Sequence, residues 1–367
     1  MYYRKIPSYF IHFILFMFCL AYHNEALSSS HSTHHNPDER RSKIIISGYD
    51  LLYAGKYEEA IAYFNTLDAI EPGSPEGIFF QAFTLEFIMG QYRSQVFDDR
   101  LNIALEKTIT KAKKAIKINP SARTYMFLGG AYGVKGVRQA ILGSWWRTFI
   151  NGQRANKYLK KAVEIDPTLY DCYYGIGSYN YWASKRLRRF FGFLFKDKSM
   201  LGIQQLHLSI EKGIFSPLPS KITLFRIYME EKWYDKVIKL SKKILNEHPD
   251  ALYPRWFYGI AFIRTKQWEK AIKNYQKILK LLEPVSIKGP ESLIESWYYL
   301  GLSYYNLGEY QKAKKLLDKI PRYKGKVNLH LFFYENCINE GGKLLIKINN
   351  VLKDDHSVKG TIESNKK

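Results

Sequence analysis

The run from Ile294 to Ile320, IESWYYLGLSYYNLGEYQKAKKLLDKI, constrains this chain more than any other stretch. Trp297, Leu300 and Tyr304 stand at i, i+3 and i+7, so a helix puts them on one face. Gly301 and Ala313 are small enough to let two helices lie close together. Gly308 falls between the two apolar patterns, where the chain has to reverse and a positive φ is tolerated. The run therefore encodes two antiparallel helices around a turn. One such hairpin cannot cover its own apolar face, so it must stack against further hairpins.

The order Trp297-x2-Leu300-Gly301-x2-Tyr304, then Gly308, Ala313 and Leu317, resembles a tetratricopeptide repeat. Related units precede it. The first, about 41–74, carries Gly48, Leu51, Gly55, Tyr57, Ala60, Phe64 and Pro72 at the family's spacing. The sixth, about 252–284, carries Tyr258, Gly259, Phe262, Trp268, Ala271 and Tyr275. Units two to five keep the pattern in part. In the second, QYRSQVFDDR reads as part of a lengthened helix. The third and fourth hold insertions around VRQAILGSWWRTFI and KRLRRFFGFLFKDKS.

The resemblance covers 41–327, about seven repeats. It implies an all-α, right-handed superhelical solenoid of antiparallel helix pairs with two helical insertions. Residues 328–352 are expected to form a C-terminal capping helix, because a terminal unit needs a polar outer face. Residues 353–367 read as a disordered, charged tail.

Residues 1–28 have the layout of a bacterial-type secretory signal peptide. Arg4 and Lys5 precede an apolar run, Tyr9 to Tyr22, and Ala26-Leu27-Ser28 supplies small residues for cleavage. The run is shorter than the ~20 residues that span a bilayer. The chain is therefore expected to be exported, to the periplasm or cell envelope if its source is Gram-negative. Retention of the leader as an anchor is the alternative. Residues 29–40 read as a polar linker. His31, His34 and His35 lie there without a carboxylate or Cys partner, so no metal site is expected. Cys19 is in the leader. Cys172 and Cys337 lie several repeats apart and are expected to be free, buried thiols.

Lys and Arg number 56 against 34 Asp and Glu, a net charge of +22. Such a charge favours acidic partners or anionic surfaces. The lysines are dispersed along helices and no nucleic-acid motif accompanies them, so nucleic acid is not an expected partner. No nucleophile, metalloprotease or phosphate-loop motif occurs. The expectation is a non-catalytic protein with no cofactor.

The resemblance implies a concave groove that binds a peptide or protein segment. Its candidate residues are Tyr174, Tyr181, Trp182, Arg226, Trp256, Arg264, Tyr298, Tyr305 and Asn306. Aromatics and arginine are the types favoured at binding hot spots. The insertions supply a second candidate surface: Trp145, Trp146, Arg188, Arg189, Phe190, Phe191 and Phe193. Bulky rings interleaved with cations suit an anionic membrane interface. The plainer alternative is that the two insertions pack against each other.

Overall fold

The structure is a computed structural model that describes residues 37–192, 196–325, 327 and 332–364. The chain divides into two units, 1–42 and 43–367. Of the first, only 37–42 are described, as the start of helix α1. The leader and His31, His34 and His35 lie outside the described residues.

Fifteen α-helices and no strand occur among the described residues. They run as pairs: α1 (Pro37–Tyr53) with α2 (Tyr57–Asn65), and α3 (Glu76–Tyr92) with α4 (Asp98–Ile118). Next come α5 (Ala122–Ile141) with α6 (Trp145–Ile165), and α7 (Cys172–Phe191) with α8 (Ser199–Lys212). Then follow α9 (Pro217–Glu230) with α10 (Tyr234–Glu247), α11 (Leu252–Arg264) with α12 (Trp268–Leu282), and α13 (Pro290–Asn306) with α14 (Tyr310–Leu317). The long α15 (Phe332–Ser364) packs on α13 and α14. This is the expected helical solenoid.

Small residues set how closely the pairs approach. A Cβ on Gly301 would lie 2.8 Å from Leu317 Cγ, and one on Gly129 would lie 2.7 Å from Leu159 Cγ. The turn inside a pair needs a left-handed residue. Gly55 and Gly308 both have φ of 76° there. In the second, fifth and sixth repeats the same turn is made by Arg93, Lys232 and Lys266, with φ of 51°, 59° and 57°. The missing glycines therefore hide a turn that is geometrically retained.

The second helices follow the amphipathic rule. On α10, Val237, Ser241 and Ile244 face inward and the lysines face out. Helix α3 breaks it, with buried residues all round its axis from Glu76 to Tyr92. A helix apolar on every side belongs in a core.

Four stretches differ from the sequence expectation. Within QYRSQVFDDR the chain reverses at Arg93, so the segment joins two helices instead of lengthening one. In the third repeat the insertion lengthens both helices, to 20 and 21 residues against 14 in α9 and α10. About seven extra residues per arm is close to two turns at 3.6 residues each, so the apolar faces stay in register. Helix α1 begins at Pro37, inside the expected linker; proline is well suited to a first helical position. Helix α15 continues to Ser364, past the expected end at Leu352, through a stretch that holds no proline.

Candidate interaction surface

In a simple solenoid each unit touches only its neighbours. Here α3 reaches across. Ile88 and Tyr92, near its C-terminal end, join one apolar cluster with Leu252, Trp256, Tyr275, Tyr299 and Leu300 of the sixth and seventh repeats. Trp256 Nε1 donates to the carbonyl of Gln91 at 2.9 Å, 165 residues away. The Gly289 amide donates to the carbonyl of Tyr92 at 3.0 Å. The Arg93 guanidinium lies 5.0 Å from the Trp256 ring centroid, and its Nε is 3.3 Å from the Glu295 carboxylate. Tyr53 stacks on His248 with centroids 4.1 Å apart and rings parallel. The first two repeats thus close against the fifth to seventh, along a seam.

Two of the sequence candidates for the groove lie in the core. Trp256 and Tyr181 are 0% exposed. Trp256 is held by α3, and the Tyr181 hydroxyl donates to Glu231 at 2.6 Å. Both are corrected from contact residues to core residues, because α3 covers Trp256 and the neighbouring α8 and α9 cover Tyr181. Tyr174, Trp182, Arg226, Tyr298 and Tyr305 are half-buried, and Arg264 and Asn306 are exposed. Tyr305 packs on Tyr310, and Asn306 donates to the Leu302 carbonyl one turn back.

Arg226 belongs to an internal polar group that the sequence reading missed. Tyr174 and Tyr253 stand near its guanidinium, and the Tyr253 hydroxyl donates to the Ile222 carbonyl at 3.4 Å. Glu86 of α3 faces Arg226, Arg138 and Asp98. Arg138 is buried and forms an ion pair with Asp98. The signal was present in α3 itself, an apolar helix interrupted by a lone mid-helix carboxylate.

The residue Glu86 keeps some exposed surface, but its Oε2 has none and accepts no hydrogen bond among the described residues. Burial pushes this carboxyl up from 4.5 to about 7, while Arg138 and Arg226 pull it down and Asp98 adds to the rise. The folded protein then holds a proton that the unfolded chain releases between 4.5 and about 7. Stability from this group is full below that window and is lost as pH rises through it. At 1.36 kcal/mol per pH unit the loss is on the order of 3 kcal/mol. Glu86→Gln is expected to flatten the curve and to exceed the parent by ~1–3 kcal/mol at pH 8, read by urea unfolding at pH 5 and pH 8. Equal pH dependence in parent and variant would count against a buried carboxyl.

A cleft of about 500 Å³ opens beside the seam, between the first repeat and the fifth and sixth. Half-buried Tyr53 and Tyr57 line it with Lys221 and His248, over the buried Phe225 and Tyr253. Burial lowers the pKa of the Lys221 ammonium. A carboxylate brought to this lysine would replace part of its lost hydration. Asp50, Glu247 and Asp250 stand on the rim, and Asp250 is paired with Lys277.

At the far end of the third repeat the lengthened hairpin carries Trp145 and Trp146, 53% and 73% exposed. The Arg186 guanidinium covers the Trp145 ring at 3.8 Å, which brings the two insertions together. Arg188 is exposed and paired with Asp197. Arg189, Phe190 and Phe191 lie on α7, their side chains undescribed, and Phe193 lies outside the described residues. No described helix is long and apolar enough to cross a membrane. Cys172 and Cys337 are free and buried, as expected.

Comparison with known proteins bears on the repeats. Residues 294–320 match the family model described as tetratricopeptide repeat. No curated protein matches the sequence. Solved structures similar to the chain include the C-terminal part of a TPR repeat-containing protein from Cytophaga hutchinsonii. It is 17% identical with a TM-score of 0.40, over 78% of this chain and 98% of that one. The human IFIT1 dimer with PPP-AAAA is 15% identical with a TM-score of 0.33, over 92% and 88%. The TPR domain of P58(IPK) is 14% identical with a TM-score of 0.30, over 86% and 99%.

Proposed function

We propose that this tetratricopeptide-bearing array is an exported, non-catalytic scaffold that holds a segment of a partner protein. The observation that carries the reading is the aromatic cleft beside the seam. It combines ring faces with the half-buried Lys221, the kind of setting that orders a peptide and binds an acidic side chain. The net charge of +22 favours a partner with an acidic surface. Half-buried Tyr298 and exposed Arg264 extend the contact along the array. Export is carried by the layout of residues 1–28 alone.

Site-specific crosslinking in cells tests this. A photoreactive residue at 221 or 298 is expected to trap one protein in near-stoichiometric amount. The same group at Lys107, exposed on the outer face of α4, is expected to trap none of it. Equal trapping from all three positions would remove the cleft from the reading.

The exposed pair Trp145 and Trp146 favours a second contact, with an anionic membrane surface. Indole rings settle at the headgroup level, and Arg147 beside them meets lipid phosphates. The double variant Trp145→Ser, Trp146→Ser is expected to lose at least about tenfold in flotation with vesicles of anionic lipid, without loss of stability. Undiminished flotation would mean that the tip is not the contact.

A further inference from the structure

The turn at Arg93 carries more than a reversal of the chain. Of the turns inside helix pairs that use a left-handed residue, those at Gly55, Gly143, Gly192 and Gly308 use glycine and two use lysines, Lys232 and Lys266, whose side chains are exposed. The left-handed region costs a residue with a Cβ roughly 1 kcal/mol relative to glycine. Arg93 accepts that strain, yet its side chain turns inward and is 20% exposed. A strained residue that faces a specific set of partners points to a role for its side chain.

The partners are matched to what Arg93 and its helix end present. The last carbonyls of a helix have no partner within it. Those of Gln91 and Tyr92 are satisfied by the Trp256 indole and the Gly289 amide. The guanidinium has a ring face on one side and the buried Glu295 carboxylate on the other. Gly289 is demanded by proximity, not by backbone conformation. Its φ is −72°, but a Cβ there would lie 1.9 Å from the Arg93 carbonyl oxygen. Together these groups read a helix end and an arginine, at a point where an array of this kind would otherwise present its inner face.

We infer that the inner face of the sixth and seventh repeats is a binding site for an arginine at the C-terminal end of a helix, which the chain fills with its own Arg93. The site's parts are the Trp256 ring and indole N–H, the Glu295 carboxylate and the Gly289 amide. Its ligand is a protein segment that offers a guanidinium and two unpaired helix-end carbonyls. A cleft of about 350 Å³ reaches Ser94 and Gly289, and one of about 500 Å³ reaches Gln91 and Tyr92, so the two flank the turn at Arg93. The inference rests on the scaffold reading and adds to it: the seam is a latch, and a partner carrying the same group opens it by replacement.

Glycine variants separate a latch from a turn. Lys232→Gly and Lys266→Gly relieve the backbone and are expected to leave the seam unchanged. Arg93→Gly relieves the same strain but removes the guanidinium. Hydrogen exchange of the Gly289 amide and the Trp256 indole is expected to quicken at least about tenfold in Arg93→Gly and in neither lysine variant. A labelled peptide of residues 86–95, EFIMGQYRSQ, is then expected to bind Arg93→Gly at least about tenfold more tightly than the parent. The gain should vanish when the peptide's arginine is replaced by alanine, and when the protein carries Glu295→Gln. Exchange in Arg93→Gly no faster than in the lysine variants would overturn the latch. An opened seam that takes both peptides equally would overturn the arginine site. Neither result touches crosslinking from position 221, which judges the scaffold reading by itself.

Discussion

Gly202→Val is expected to cost at least about 3 kcal/mol and to part α7 from α8. A Cβ on Gly202 would lie 2.5 Å from the Gly177 carbonyl oxygen and 2.8 Å from the Tyr181 nitrogen. A Cβ on Gly177 would in turn lie 2.7 Å from the Gly202 carbonyl oxygen. The two helices meet backbone to backbone. No side-chain rotation relieves such a clash, so the helices themselves must move. The fourth repeat stands in the middle of the array, and its loss uncouples the units on either side. Urea unfolding should show a lower midpoint or a second transition. Gly342→Ala is the control: that helical glycine meets nothing within 4 Å, and alanine there is expected to add up to ~1 kcal/mol. A Gly202→Val midpoint equal to that of the parent would show that the helices do not approach this closely.

Trp256→Ala carries the other large effect, on the order of 3–5 kcal/mol. The side chain is fully buried, and its loss leaves a cavity between α3, α11 and α13. It also strips the Gln91 carbonyl of its donor and the Arg93 guanidinium of its ring. A buried carbonyl left unpaired adds ~1–3 kcal/mol of its own. Trp146→Ala, at an exposed ring, is expected to change stability by less than about 0.5 kcal/mol. The comparison in denaturant decides it. Similar midpoints for the two variants would mean that the seam does not hold the second repeat to the sixth.

The contrast between these two tryptophans marks the limit of reading the chain by pattern. Trp256 and Trp146 look alike in sequence, each an aromatic beside an arginine near the start of a helix. Trp256 is core because α3 lies over it, and Trp146 is surface because it stands at the tip of the lengthened hairpin. The nearly uninterrupted apolar composition of α3, with Glu86 as its only mid-helix charge, was the visible trace of that placement. It indicates a helix enclosed on all sides, but not what encloses it.

The sequence by itself determined the helix pairs, the close-packing glycines and the two buried thiols. Each depends on spacing within a few turns, where the 3.6-residue period ties position to face. It also marked the lengthened third repeat, though not that the extra residues divide evenly between its two arms. Tertiary structure alone decided that the inner face is filled, that Tyr181 and Trp256 are core, and that Arg93 meets Trp256 and Glu295. Those contacts join residues up to about 200 positions apart, and two of them run through the backbone carbonyls of Gln91 and Tyr92, groups that every residue type carries. A pattern of side chains records which faces are apolar. It does not record which distant face will come to cover them.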